Sequence, residues 1–131
     1  MPGNCPPRVN AKHIFHGEIN NSGKAVGFHH ERGLGHQGKA RVTEITQPPN
    51  ELGVYKGKVE IFNPATGLWV PKQFESTFFP KEWDRAKVLS EVKAAKANSV
   101  MVTSAKWRGT SPSGVTIEGY GNINTAFPVL E

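Results

Sequence analysis

Only one stretch of this chain keeps helical spacing long enough to make a substantial helix, which narrows the architectures open to it. From Trp83 to Ala97, the residues Trp83, Ala86, Leu89, Val92 and Ala95 recur every three positions, with Asp84, Arg85, Lys87, Glu91 and Lys96 between them. Asn98 can end the run, and the pattern predicts an amphipathic helix lying on a sheet. Most of the remainder after residue 41 reads as strand and turn. Val42 to Thr46 predicts a strand, Gln47-Pro48-Pro49-Asn50 breaks it, and Val54 to Phe62 alternates toward a second. Asn63-Pro64-Ala65-Thr66-Gly67 then turns the chain, so that Leu68 to Phe74 returns as a hairpin partner. Beyond the helix, Val100 to Ser104, Val115 to Glu118 and Ile123 to Phe127 predict strands, the last two joined through Gly119-Tyr120-Gly121-Asn122. Residues 12–41 lack such periodicity and read as short helical turns and loops. The fold class expected is α+β: short N-terminal helices followed by antiparallel β-sheets with one packing helix.

The 131 residues fit one domain with a real core. Residues 1–11 read as a flexible lead-in and 12–131 as the folded unit. Met1-Pro2-Gly3-Asn4-Cys5-Pro6-Pro7 has no apolar stretch, so no signal peptide is expected. No apolar run approaches the ~20 residues of a membrane span, and no stable membrane association is expected. Cys5 is the single cysteine; it has no internal disulfide partner, and a tail beside prolines offers no scaffold for a reactive thiol. Sixteen Lys and Arg against eleven Asp and Glu give a net charge of +5, which suits a polyanion such as a phosphate backbone or simply keeps the chain soluble.

All five histidines, His13, His16, His29, His30 and His36, fall in the basic and glycine-rich stretch between residues 12 and 41. An imidazole titrates near neutrality, so a converging pair such as His13 and His29 can take a proton from one oxygen and give one to another without a cofactor. Cleavage of RNA needs no more than that. A metal site suits the cluster less well: His13-x-x-His16 has the wrong step for a zinc hydrolase, and His29-His30-Glu31 is too compact for one ion. Glu18 and Glu31 are the nearby carboxylates. There is no Gly-x-Ser-x-Gly elbow. Gly33-Leu34-Gly35-His36-Gln37-Gly38 matches a dinucleotide fingerprint by letter, but no hydrophobic strand leads into it, so it reads as a loop beside the site. A metal-dependent nuclease and a non-enzymatic RNA-binding module both stay open as alternatives.

Four pieces of sequence carry a family resemblance: His13-Ile14-x-x-Gly17-Glu18, Gly27-Phe28-His29, Phe78-Phe79-Pro80-x-x-Trp83, and Gly121-Asn122-Ile123-Asn124-Thr125-Ala126-Phe127-Pro128. In that order and spacing the chain resembles the bacterial EndoU endoribonucleases, and more narrowly the C-terminal toxin domains of contact-dependent growth-inhibition (CdiA-type) proteins. The resemblance implies an RNase A-like fold, and it implies His13 and His29 as the catalytic histidines. His16 and His30 then become neighbouring, phosphate-contacting groups. The family's lysine, with a serine or threonine four positions on, falls on Lys72 and Ser76, which face one side of an extended segment and so can reach one cleft, Lys72 as a catalytic group and Ser76 as a contact to substrate. Its terminal threonine falls on Thr125, and Phe127 stands where the family usually has tyrosine, keeping a stacking ring but losing the hydroxyl.

The resemblance further implies metal-independent transesterification with no cofactor. His29 acts as base on the 2′-hydroxyl and His13 as acid on the departing 5′-oxygen, with Lys72 or a backbone donor stabilising the phosphoryl oxygens. A 2′,3′-cyclic phosphate and a 5′-hydroxyl result. Also implied are a transfer RNA substrate, a cognate immunity protein as partner, a monomeric state, and delivery from a secreted or cell-surface protein into the cytoplasm of a neighbouring bacterium.

Overall fold

The computed structural model describes residues 11–31, 40–121 and 125–130. Residues 1–10, His36, the Gly33–Gly38 loop and Asn122-Ile123-Asn124 lie outside the described residues, so the expectations placed on them go unexamined. The chain is α+β, and every strand pairing in it is antiparallel.

A short helix, α1 (Ala11–Phe15), precedes a small ribbon of β1 (Glu18–Ile19) and β2 (Ala25–Val26). Sequence reading gave this region several helical turns and no strand; a two-residue strand is too short to show a period of two. β3 (Ala40–Gln47) and β4 (Tyr55–Asn63) follow, and β4 buries Tyr55, Gly57, Val59 and Ile61 on one face, as alternation predicts. β5 (Leu68–Pro71) returns along β4 but is shorter than expected. The Lys72 N–H still reaches the Val59 carbonyl at 2.9 Å; residues 73–75 then leave the sheet, and β6 (Ser76–Phe78) rejoins the same edge of β4.

The helix α2 (Arg85–Ala97) begins where Asp84, in an extended conformation, accepts the Lys87 N–H at 2.8 Å. It ends where the Asn98 N–H turns back to the Ala94 and Ala95 carbonyls. Its buried face is Val88, Glu91, Val92 and Ala95, rather than the expected stripe through Ala86 and Leu89. Trp83 reaches the core from the loop before the helix and so does not index the helical stripe.

β7 (Val100–Met101), β8 (Lys106–Thr110), β9 (Thr116–Tyr120) and β10 (Thr125–Pro128) form a second sheet in the order β10-β9-β8-β7. β8 was not foreseen. It contributes Trp107 and Gly109 to the inner face, and α2 lies so close that a Cβ on Gly109 would sit 1.9 Å from the Ala95 carbonyl oxygen. Glycine is therefore required inside this strand.

Two hydrophobic cores result. One gathers Ile14, Phe15, Val54, Phe79, Trp83, Val88, Val92, Trp107 and Ile117 between α2 and the second sheet; the other gathers Phe28, Tyr55, Val59, Ile61 and Phe78 on the first sheet. Successive residues of an extended chain point to opposite sides, so Val54-Tyr55 and Phe78-Phe79 each send one side chain into each core. No helix among the described residues is long and apolar enough to cross a membrane.

Candidate active site

The segment Gly27-Phe28-His29 is clamped between the end of α1 and the last turn of β6. The Phe28 N–H donates to the His13 carbonyl at 2.8 Å, and the His29 N–H to the Ile14 carbonyl at 2.6 Å. On the other side the Phe79 N–H donates to the His29 carbonyl at 2.8 Å. This path requires left-handed backbone at Gly27 (φ 83°) and at Phe28 (φ 70°). For a bulky residue such a φ is costly, about 1–3 kcal/mol, and persists only where the surroundings fix it. Here the Phe28 ring is buried edge-on against Phe78, with centroids 5.4 Å apart.

These contacts bring His13 and His29 together, with ring centroids 6.5 Å apart and planes tilted by 31°. Their surroundings differ. His13 pairs its Nδ1 with the Glu18 carboxylate at 3.0 Å, which fixes the Nδ1 proton and favours the imidazolium, while burial works against it. The net effect is a pKa below the ordinary histidine value. His29 donates its Nδ1 proton to the Thr77 carbonyl at 2.8 Å, which leaves Nε2 as the ring's acceptor. Burial first, then the Lys72 charge, hold its pKa well below the ordinary value. His29 is therefore a neutral imidazole near pH 7, with its lone pair available.

Lys72 and Ser76 also meet, but not by the route expected. They do not share one continuous strand; the excursion at 73–75 folds them together, with Lys72 Nζ donating to Ser76 Oγ at 2.6 Å. Lys72 Nζ and Ser76 Oγ each also donate to the Gly27 carbonyl, at 3.2 Å. A Cβ on Gly27 would lie 2.3 Å from the His13 carbonyl oxygen, so this glycine is where the lysine and α1 converge. Burial lowers Lys72 to about 8, so its ammonium is largely retained at neutral pH. Ser76 is fully buried, which corrects its expected contact with substrate: it anchors Lys72 instead.

Phe127 lies against His29, centroids 5.6 Å apart, and Thr125 shares its face of β10. The Thr125 hydroxyl is buried, and no hydrogen-bond partner stands against it among the described residues. His30 departs from expectation. It is fully buried edge-on to the Phe15 ring, so it is part of the packing and not a phosphate contact. His16 lines a groove together with Glu18. Sequence reading missed two residues here. Glu18 was visible in the His13 motif but carried no role; Tyr120 was read only as a turn, yet it stands opposite Thr125 across the strand pair, 6.4 Å from the Phe127 ring.

Two imidazoles with centroids 6.5 Å apart, both within reach of the Lys72 charge, are parts suited to proton transfer at a phosphodiester. Residues 7–130 match the family model described as bacterial EndoU nuclease. The chain belongs to that family. As an EndoU nuclease it has a relative in Bacillus cereus, a protein named "Toxin", 34% identical over 122 residues. The match takes in 89% of this chain and 22% of that protein, so the chain spans about a fifth of the length of the curated relative it matches. None of the solved structures matches. Among the described residues of this EndoU nuclease, no three His, Cys, Asp or Glu side chains converge as a metal site.

Proposed function

We propose that this EndoU nuclease cuts RNA by transesterification, with His29 as base and His13 as acid. The observation that carries the reading is the close imidazole pair, one ring kept neutral by burial with its Nδ1 proton on a carbonyl and the other paired with a carboxylate. His29 Nε2 takes the 2′-hydroxyl proton, and the 2′-oxygen attacks the adjacent phosphorus. The bond from phosphorus to the 5′-oxygen breaks, and His13 gives that oxygen its proton. A 2′,3′-cyclic phosphate and a 5′-hydroxyl leave. The Lys72 ammonium stabilises the phosphoryl oxygens and Phe127 supports the upstream nucleotide by stacking, while the buried Thr125 hydroxyl, like Ser76, stands behind the substrate surface.

The relative's name supports a toxin, and we take the chain as the nuclease domain of a longer growth-inhibition protein. In this reading it acts as a monomer in the cytoplasm of a target bacterium, on transfer RNA, and an acidic immunity protein blocks its basic surface in the producer. The decisive test uses a labelled RNA oligonucleotide and its twin carrying one 2′-deoxy nucleotide at the cut, each with and without EDTA. The RNA is cut to a cyclic phosphate in both buffers, the deoxy twin is bound but intact, and His13→Ala or His29→Ala lowers the rate about 10²–10⁴-fold. Efficient cutting of the deoxy twin overturns the mechanism; loss of cutting with EDTA favours a metal-dependent nuclease; binding without cutting favours an RNA-binding module.

A further inference from the structure

We infer that the groove beyond Glu18 holds the base of the nucleotide downstream of the cut, and that it favours a base carrying a carbonyl oxygen. This rests on the ribonuclease reading above. The groove, about 770 Å³, runs between the β1–β2 ribbon and the turn after β4, a volume in the range of small-molecule sites. Its lining includes His16, Glu18, Asn20, Asn21, Phe62 and Asn63. Neither His13 nor His29 lines it. The link is Glu18, which both lines the groove and holds His13.

Reaction polarity decides which nucleotide lies there. The acid protonates the oxygen that departs with the downstream nucleotide, so that nucleotide lies on the side of His13 and Glu18. The upstream ribose lies on the side of His29, against Phe127.

Groove chemistry decides what the base must offer. Asn20 Oδ1 accepts the Ser22 and Lys24 N–H groups at 2.9 and 3.0 Å, and Asn63 Oδ1 accepts the Ala65 N–H at 3.0 Å. Each amide oxygen is thereby taken up by its own turn, so the NH₂ group is the part of each side chain with which these groove-lining residues can read a base. Phe62, braced edge-on by Trp69 at 5.5 Å, supplies an apolar wall. Donors beside an aromatic wall suit uracil, guanine or cytosine, whose exocyclic carbonyl oxygens project from the ring toward an amide, over adenine, whose acceptors are ring nitrogens only.

Asn20→Asp and Asn63→Asp test this, because each aspartate keeps the oxygen that closes its turn while replacing the NH₂ donor with an acceptor. The substrates are the full set of ribodinucleotides and a nucleoside 3′-(4-nitrophenyl phosphate), which has no downstream base. The wild type favours carbonyl-bearing downstream bases over adenine by about tenfold in kcat/KM, and the double variant loses that preference. Its kcat/KM ratio of uracil-bearing dinucleotide to aryl phosphate falls by the same factor. If the double variant does not fold, the Asn20→Asp and Asn63→Asp single variants take its place, each expected to lose part of the preference. A wild type indifferent to the downstream base, or a preference that survives the substitutions, overturns the inference alone. A wild type that cuts no RNA overturns the ribonuclease reading with it.

Discussion

The two cores of this molecule are built by different means, and the imidazole pair sits where they meet. Beneath α2, a helical stripe of Val88, Val92 and Ala95 packs on alternating strand residues such as Trp107 and Ile117. Ordinary periodicity specifies that core. Among the described residues, no helix contributes to the core of the first sheet. Its centre is an aromatic cluster in which Tyr55 stacks on Phe78 at 4.9 Å and Phe28 meets Phe78 edge-on, and Phe28 reaches it only through left-handed backbone. The regular core supplies most of the burial, whereas the irregular one fixes where the chemistry happens.

Removing a side chain from the regular core gives the largest effect. Trp107 is fully buried, and Trp107→Ala costs about 3–5 kcal/mol in urea unfolding. Because Val54-Tyr55 and Phe78-Phe79 feed both cores, unfolding remains one transition. Two separated transitions would break the comparison into two independent units. Next comes the irregular core. Gly27→Ala strains a φ of 83° and pushes into the His13 carbonyl, so it costs about 1–3 kcal/mol and lowers kcat/KM on RNA by a further ten- to hundredfold in the folded protein. A variant that loses stability but keeps its rate would show that this segment packs the core without setting the site.

The smallest effect is one of pH. Activity needs His29 neutral and His13 protonated; burial holds both below the ordinary value, so the kcat/KM profile peaks below pH 6.5, with His13 setting its alkaline limb. Glu18 raises the His13 pKa, and Glu18→Gln moves that limb toward acid. Activity at pH 7 then falls by about three- to tenfold, with little change at the optimum. A limb that does not move would separate Glu18 from the acid.

Much of the regular secondary structure, in both sheets, was legible in sequence. The helix, its Asn98 end and the strands around Val42, Val54 and Val115 all follow from local pattern. Elsewhere a local signal pointed the wrong way or was missing. The strand β8 was missed, and nothing local to Gly109 announces its role, because its reason is the neighbouring Ala95 carbonyl, far off in sequence. His30 reads as a member of a polar cluster, but the turn at Phe28 sends it inward to Phe15. Lys72 and Ser76 have a spacing that suggests contact along a strand, and they meet because the strand stops. The His13–His29 pairing was named from motif, while its geometry depends on main-chain bonds from residues 28 and 29 to 13 and 14 that no residue type announces.

The bond from His29 to the Thr77 carbonyl has one more consequence. A peptide oxygen is supplied by whatever amino acid occupies position 77, so genetic drift there leaves the imidazole's tautomer alone. The acid enjoys no such insurance, since its companion is a carboxylate that one codon change can erase. Lineages wearing down this enzyme by random mutation would thus forfeit the donor's support well before the acceptor's.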